Sequence, residues 1–357
     1  MKKQLVTNQK GEIEFRQKLY EQQVEGKTVF ADEFDGAAME KILEERMDQT
    51  VHDMNQLQQK GVPLSPYIEV GAERGQRSLV MENDLGACGA AVDICYPLLK
   101  SAGHYQKVFK RAKSPLKICC DANNLPFMAD SIPFVFCYET LHHFPEPAPI
   151  TNEIYRVLQP GGYFFFDEEP FKQVLHLDLY KAKQSYSREY ASRSVVRKVV
   201  DRLFMAKTCN ETDHGILEND RITLEEWTKA LSAFDASDIR LEYGPVRSQL
   251  VNPSSRLKHF VLYLLGGVIS GICQKPGRPK NISSGSIQDS VICPSCRQNQ
   301  ANIPLRRDDR GFSCPECSKT YPVVDDVLFL FAYDKFAELY PEVFSSIQGV
   351  GSGRSIA

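Results

Sequence analysis

Between Pro66 and Pro170, short and mostly apolar runs alternate with polar segments that are long enough to form helices. The runs at 67–70, 87–94 and 116–120 are bounded by glycine, proline or other turn-forming residues. Such runs are typical of buried strands in a parallel sheet, and the segments between them are typical of crossover helices. The pattern therefore predicts an α/β fold with a doubly wound, mostly parallel sheet.

The ends of the predicted strands carry acidic residues and one glycine turn. Glu69 lies in the first strand, Asp93 lies at the end of the second, and Asp121 follows the third. Gly71 and Gly75 frame the turn after the first strand, where backbone N–H groups can approach a ligand closely. Because the carboxyl ends of parallel strands meet at one edge of a sheet, we expect a nucleotide-like ligand there.

Two later segments complete a family pattern. Residues 134–144 read FVFCYETLHHF, and residues 153–166 read EIYRVLQPGGYFFF. Together with the three strand ends, they resemble a class I S-adenosylmethionine-dependent methyltransferase of the methyltransferase type 11 kind. In that family an "LHH" element follows the fourth strand, and a helix ending in an "RVLxPGG" turn leads into the fifth. The resemblance covers about a third of the chain and implies a Rossmann-like core.

The resemblance also implies a cofactor site for S-adenosylmethionine. The two glycines would shape the turn under the amino-acid part of the cofactor, and Glu69 would anchor that turn through hydrogen bonds. Asp93 would accept hydrogen bonds from the two ribose hydroxyls, as an acid does in dinucleotide folds. Asp121 and Ala122 would face the adenine ring. The implied set is Glu69, Gly71, Gly75, Asp93, Asp121 and Ala122.

One position departs from the family pattern, because Glu73 stands where the family has a glycine. A side chain there could crowd the approach of the backbone or bring negative charge near the carboxylate of the cofactor. A non-catalytic scaffold with a degenerate cofactor site therefore stays open as an alternative. Other nucleotide sites fit less well, since the chain lacks the third glycine of a dinucleotide motif at residue 76 and lacks the Gly-Lys-Ser/Thr of a phosphate loop.

The expected chemistry is methyl transfer, in which positioning the acceptor dominates. A hydroxyl acceptor would need a general base, and the resemblance implies His143, His142 or Glu139. His143 is the first choice, and one histidine of the pair is expected to be structural. The favoured acceptor is a small or lipid-linked metabolite, such as a sugar or secondary-metabolite hydroxyl. An RNA or protein acceptor is the alternative, although the chain lacks the Asn/Asp-Pro-Pro-Tyr element that accompanies methylation of a base amino group.

Two C-x-x-C knuckles lie near the C-terminus and are separated by 17 residues. This spacing is typical of a structural zinc site with four thiolate ligands. The expected ligands are Cys293, Cys296, Cys314 and Cys317. With the following YPVVD and apolar segment, the knuckles resemble the small zinc-ribbon activator subunit of tRNA and protein methyltransferases. The resemblance implies a stabiliser or substrate lid acting in cis, and a ribbon that only caps the fold is the alternative.

Composition and hydropathy limit the remaining function classes. The net charge of −3 does not indicate a nucleic-acid binder, and no apolar core follows the basic N-terminal residues, so a cytoplasmic protein is expected. The apolar run at 260–273 has basic flanks but is too short to span a bilayer, which leaves a buried segment or a peripheral membrane contact.

The expected organisation has six parts: an N-terminal helical extension at 1–62, an S-adenosylmethionine-binding core at 63–170, a substrate-covering insert with remaining core elements at 171–274, a linker at 275–290, a zinc ribbon at 291–335 and a tail at 336–357.

Overall fold

A computed structural model of the protein describes residues 9–24, 36–172, 219, 221–279, 286–308 and 311–349. The chain divides into two compact units. The first, here called the His142 unit, takes its residues from 1–39, 138–151 and 165–273. The second, here called the Rossmann unit, takes its residues from 40–137, 152–164 and 274–357.

Parallel strands form the centre of the Rossmann unit. β1 (Tyr67–Val70) pairs in parallel with both β4 (Ile132–Tyr138) and β2 (Gly89–Asp93). β3 (Leu116–Cys120) pairs in parallel with β2 on its other side. The order β4-β1-β2-β3 confirms the predicted doubly wound α/β class, and it places the change of winding direction between β1 and β4.

Helices connect these strands, as the hydropathy pattern predicted. α2 (Gly36–Gln59) precedes β1, α3 (Gln76–Asn83) follows it, and α4 (Tyr96–Val108) connects β2 to β3. α5 (Pro147–Val157) leads directly into β5 (Leu158–Phe171). All residues of β1 and β4 are buried, which accounts for their nearly continuous apolar sequence.

The C-terminal module of the Rossmann unit extends the sheet beyond β3. It contains α8 (Pro294–Arg297) and the strands β9 (Arg306–Asp308), β10 (Gly311–Ser313), β11 (Thr320–Val324) and β12 (Val327–Leu330). The four strands pair antiparallel in chain order, and β12 pairs in parallel with β3. The expected zinc ribbon is therefore built onto the edge of the parallel sheet.

Two helices follow the ribbon, α9 (Tyr333–Leu339) and α10 (Pro341–Gly349), so the expected tail is helical at 336–339 and at 341–349. Aromatic side chains attach these helices to the sheet: Phe329 of β12 stacks on Phe336, and the hydroxyl of Tyr340 donates to the carbonyl of Ile94 at 2.6 Å. The C-terminal helices thus stabilise the pairing of β12 with β3.

Lys275 lies in the segment expected to be a linker, but its side chain is buried and hydrogen-bonded to the core. Its Nζ donates to the carbonyls of Tyr155 and Leu158 at 2.7 and 2.8 Å, and to a carboxylate oxygen of Asp130 at 2.7 Å. A buried ammonium needs such partners because its removal from water is costly. The glycine- and proline-rich composition did not reveal this role.

The His142 unit contains α1 (Gln9–Val24), the second half of β5, α6 (Leu224–Ala230), β6 (Asp235–Tyr243), β7 (Val246–Gln249), α7 (Arg256–Leu265) and β8 (Gly267–Gln274). β6 and β7 form an antiparallel hairpin. A capping box is present at the start of α6, where Thr223 and Glu226 hydrogen-bond each other's backbone N–H groups.

The apolar run at 260–273 does not form one element. It is divided between the end of α7 and β8, with Gly266 and Gly267 at the junction, both with positive φ. No helix among the described residues is long and apolar enough to cross a membrane. The part of the predicted insert between residues 173 and 218 lies outside the described residues.

Candidate cofactor site, histidine cluster and metal centre

The turn after β1 has the backbone conformation that its glycines permit. Gly71 and Gly75 have φ of 72° and 67°, the left-handed region that L-residues with a Cβ rarely adopt. Glu69 of β1 is buried and accepts a hydrogen bond from the hydroxyl of Ser78 on α3 at 2.5 Å. Burial raises the pKa of Glu69 to about 7, although the Ser78 hydroxyl and the nearby Arg77 act against the increase. Glu69 thus connects the strand before the turn to the helix after it.

Glu73 lies inside this turn and also has a positive φ, 46°. Its carboxylate forms an ion pair with Arg46 of α2, with 2.9 Å between Oε2 and Nη1. The guanidinium of Arg77 donates to the backbone carbonyl of Arg46 at 3.0 Å and so holds α2 against the same turn. The negative charge that the sequence placed at this position therefore has a cationic partner.

Asp93 lies at the carboxyl end of β2 and accepts two backbone hydrogen bonds. Its Oδ2 accepts from the N–H of Glu73, and its Oδ1 accepts from the N–H of Cys95, both at 2.8 Å. These bonds fix the carboxylate between the glycine turn and the start of α4. The structure thus brings together Glu69, Gly71, Gly75 and Asp93 around one turn at the edge of the sheet.

Asp121 and Ala122 follow β3 at the same edge. Asp121 accepts from the backbone N–H of Asn123 at 2.9 Å, which caps the short 3₁₀ turn at 122–124. A cavity of 320 Å³ lies beside these residues, and it is lined by Asp121, Asn123, Asn124, Arg297, Leu330 and Phe331 among others. The ribbon module therefore contributes part of the wall next to the predicted adenine position.

The donor and acceptor chemistry of this edge fits S-adenosylmethionine. A carboxylate has about four lone-pair sites, so Asp93 belongs to the type of side chain that can accept hydrogen bonds from several donors, ribose hydroxyls included. The left-handed turn exposes backbone to a ligand, as the amino-acid part of the cofactor requires. The ion pair with Arg46 partly neutralises Glu73, so its negative charge no longer argues against a bound cofactor carboxylate. The second objection, steric crowding by the Glu73 side chain, is unaffected.

His142 lies in the 3₁₀ turn after β4 and is nearly buried. Its Nδ1 is 2.9 Å from a carboxylate oxygen of Glu169, a fully buried residue of β5. Glu169 also accepts from the backbone N–H groups of Thr140, Leu141 and His142 at 2.7, 2.8 and 3.1 Å. Since an ionised carboxylate only accepts, the proton of the neutral ring lies on Nδ1 and the basic lone pair lies on Nε2.

Glu169 is not among the site residues expected from the sequence. A signal was available, because Asp167, Glu168 and Glu169 directly follow the apolar run 163–166, and a buried acid in such a place needs a specific partner.

His143 and Glu139 are the other two candidate catalytic residues, and both are close to His142 in the chain. The ring of His143 contacts that of His142, with 4.4 Å between centroids, and it is partly exposed. Glu139 is exposed and has a positive φ of 47°. All three candidate catalytic residues thus belong to the His142 unit, whereas the predicted cofactor residues belong to the Rossmann unit.

The four predicted cysteine ligands lie together. Their Sγ atoms all lie within 4.8 Å of one another, and the pairs Cys293–Cys317 and Cys296–Cys314 are 3.6 and 3.7 Å apart. A tetrahedral Zn²⁺ with bonds of about 2.3 Å requires sulfurs about 3.8 Å apart. The geometry therefore fits a four-thiolate ion, and a group of this composition can hold zinc.

Comparisons with known proteins agree with the strand order. Residues 68–166 match the family model described as a methyltransferase domain. A malonyl-(acyl-carrier protein) O-methyltransferase of Marinomonas sp. (strain MWYL1) is 28% identical over 100 residues, which are 28% of this chain and 36% of the relative. The sterol methyltransferase-like 1 of Botryococcus braunii is 29% identical over 102 residues, which are 29% of this chain and 26% of the relative. The match thus spans well under half the length of these curated relatives.

Solved structures show weaker likenesses. The complex of the Haloferax volcanii Trm112 methyltransferase activator with a methyltransferase aligns at 18% identity and a TM-score of 0.41, covering 70% of this chain and 99% of that chain. An S-adenosylmethionine-dependent methyltransferase of Methanosarcina mazei aligns at 22% identity and a TM-score of 0.38, covering 59% of this chain and 92% of that chain. Alignments with such scores assign no role to any residue of this chain. The family match and the observed strand order together identify residues 68–166 as a class I S-adenosylmethionine-dependent methyltransferase domain.

Proposed function

We propose that this protein transfers the methyl group of S-adenosylmethionine to a hydroxyl of a small or lipid-linked metabolite, such as a sugar or a secondary metabolite. The observation that carries the proposal is the placement of Asp93. Its carboxylate is held by two backbone N–H groups at the carboxyl end of β2, beside the left-handed glycine turn. A fixed acceptor for two vicinal hydroxyls in this place is what a nucleoside ligand needs.

The proposed cofactor contacts follow the resemblance residue by residue. Gly71 and Gly75 would admit the amino-acid part, Asp93 would bind the ribose, and Asp121 with Ala122 would face the adenine. When bound, the sulfonium supplies an already activated methyl group, so the protein has to position the acceptor and exclude water.

A hydroxyl acceptor also needs a group that accepts its proton. We propose His142 as this general base in place of His143, because the bond from Nδ1 to Glu169 fixes the ring and keeps the lone pair on Nε2. Glu169 would act through His142 and is a positioning residue. The test compares His142→Asn with His143→Asn: only the former should lower kcat and remove the acidic limb of the pH–rate profile, which is the loss of rate at low pH as the base is protonated.

We also propose that the cysteine group binds a structural Zn²⁺. All four tetrahedral positions are filled by protein sulfurs, so no open position is left for a substrate. The ion would hold the ribbon together, and the ribbon would in turn support β3 in cis.

The experiment that tests the proposed function is calorimetric titration of the zinc-replete protein with S-adenosylmethionine and with S-adenosylhomocysteine. Both ligands should bind in the micromolar range, and Asp93→Ala should abolish binding. Asp48→Ala, which removes an exposed acid on α2, serves as the matched control and should bind like the wild type. Absence of binding by the folded wild type would reject the enzyme and favour the scaffold; binding retained in Asp93→Ala would reject the proposed ribose contact.

A further inference from the structure

Helix α7 (Arg256–Leu265) of the His142 unit exposes a row of large apolar side chains. Leu257, Phe260 and Tyr263 are 72%, 55% and 48% exposed. They are spaced three residues apart, so they lie along one broad side of the helix. The other side is also apolar, because Leu262 is fully buried and the helix packs on β6 and β7.

This arrangement is unusual for a surface helix, which normally turns its polar side to water. Val251 before the helix and Val268 after it are each 41% exposed as well. A row of large exposed apolar side chains marks a surface that another body covers. The row formed by Leu257, Phe260 and Tyr263 is called the α7 surface below.

Positive side chains lie beside the α7 surface. Between residues 243 and 273, the part of the chain around α7 that belongs to the His142 unit, the sequence has no aspartate or glutamate but has Arg247, Arg256 and Lys258. Arg256 and Lys258 flank Leu257 and are themselves exposed. Arg247 on the neighbouring β7 is within 3.4 Å of Glu242, the nearest acid before this stretch. The surface that covers α7 should therefore be both apolar and negatively charged.

A second copy of this chain does not meet that requirement, because α7 of the partner copy would also carry Arg256 and Lys258 and has no acidic residue to pair with them. A nucleic acid would match the charge but would leave the leucine, phenylalanine and tyrosine without an apolar partner. A bilayer with anionic headgroups matches both features: acyl chains receive Leu257 and Phe260, and tyrosine is favoured at the interface.

We propose that α7 is a peripheral membrane-binding helix, which inserts Leu257, Phe260 and Tyr263 into the interface of an anionic bilayer while Arg256 and Lys258 bind the lipid headgroups. The inference does not depend on the proposed methyl transfer. If both hold, the membrane would concentrate the enzyme where a lipid-linked acceptor lies.

The test is co-sedimentation of the full-length protein with vesicles of phosphatidylcholine alone and of phosphatidylcholine with phosphatidylglycerol. The wild type should bind the anionic vesicles, and binding should weaken as salt is added. Removing both charges with Arg256→Gln and Lys258→Gln should weaken binding about fivefold per charge. Leu257→Ser and Phe260→Ser should each weaken it about tenfold.

Matched controls come from the Rossmann unit. Val323→Ser removes an exposed apolar side chain of β11, and Arg306→Gln with Arg307→Gln removes two exposed charges of β9. These variants should bind vesicles like the wild type, and the thermal unfolding of every variant should match that of the wild type. Three results would overturn the proposal: no binding of the wild type to anionic vesicles, equal loss in the control variants, or a wild-type dimer in solution that Phe260→Ser dissociates.

Discussion

Leu330 of β12 lies directly opposite Cys120 of β3 in a parallel pair of strands. Both residues are buried, and each is the last residue of its strand. The next residues, Phe331 and Asp121, therefore leave the sheet at the same edge and line one cavity. Through this pairing, the module that holds the four cysteines becomes part of the parallel sheet instead of a separate domain.

Loss of the metal should destabilise β3 as well as the ribbon. Cys296→Ser should lower bound zinc and reduce the free energy of unfolding by roughly 3–5 kcal/mol, because metal binding supplies the folding energy of so small a module. Zinc content and hydrogen exchange at 117–120 and 327–330 measure the two effects. Cys88→Ser, which changes an exposed cysteine, is the control. Full protection of β3 in a zinc-free variant would contradict this prediction.

Replacing Glu73 with glycine should lower the free energy of unfolding less than replacing it with alanine. Both changes remove the ion pair with Arg46, but only glycine relieves the left-handed backbone at φ 46°. Glu73→Gly should therefore be more stable than Glu73→Ala by about 1 kcal/mol. Urea unfolding of the two variants measures the difference. Equal stability, or a more stable alanine variant, would show that the turn carries no strain at this position.

Glu69 should make stability decrease as pH rises. Burial raises its folded pKa to about 7 from an ordinary value of 4.5. Between these two values the folded state holds a proton that the unfolded state has released, so the free energy of unfolding falls with rising pH and levels off above about pH 7. Glu69→Gln keeps a partner for Ser78 and removes the titration.

The expected difference in the free energy of unfolding, wild type minus Glu69→Gln, falls by at most about 3 kcal/mol between pH 4.5 and pH 8. Urea unfolding of both proteins at these two pH values provides the measurement. If the two proteins depend on pH in parallel, Glu69 is not protonated in the folded state near neutral pH.

Substitution of Glu169 should lower the free energy of unfolding more than substitution of most other residues of the His142 unit. Its replacement by alanine would leave three backbone N–H groups and the ring of His142 without their buried acceptor. We expect Glu169→Ala to lower the free energy of unfolding by about 3 kcal/mol or more. Glu146→Ala, which removes an exposed acid shortly after His142 in the chain, should be neutral within about 0.5 kcal/mol. Chemical unfolding of both variants gives the comparison, and a neutral Glu169→Ala would contradict the structure of this turn.

The sequence alone determined the elements that depend on local pattern. Strands β1 and β3 lie where the apolar runs and turn residues predicted them, and the capping box of Thr223 was readable from its spacing. The two C-x-x-C knuckles also predicted that four sulfurs meet, because each knuckle by itself directs two side chains to one point. The family motifs likewise depend on short stretches of contiguous residues.

Only the tertiary structure decided which distant residues meet. The pairing of β12 with β3, the ion pair of Glu73 with Arg46, the acceptor role of Glu169 and the burial of Lys275 all join residues far apart in the chain. A buried charge or a strand edge needs a hydrogen-bonding or ionic partner, and the fold determines which residue provides it. The periodicity of hydropathy along the chain carries no information about that partner. The exposed row on α7 could not be predicted either. Its apolar sequence is typical of a buried segment, and only the packing of the helix on β6 and β7 shows that one apolar side is exposed to water.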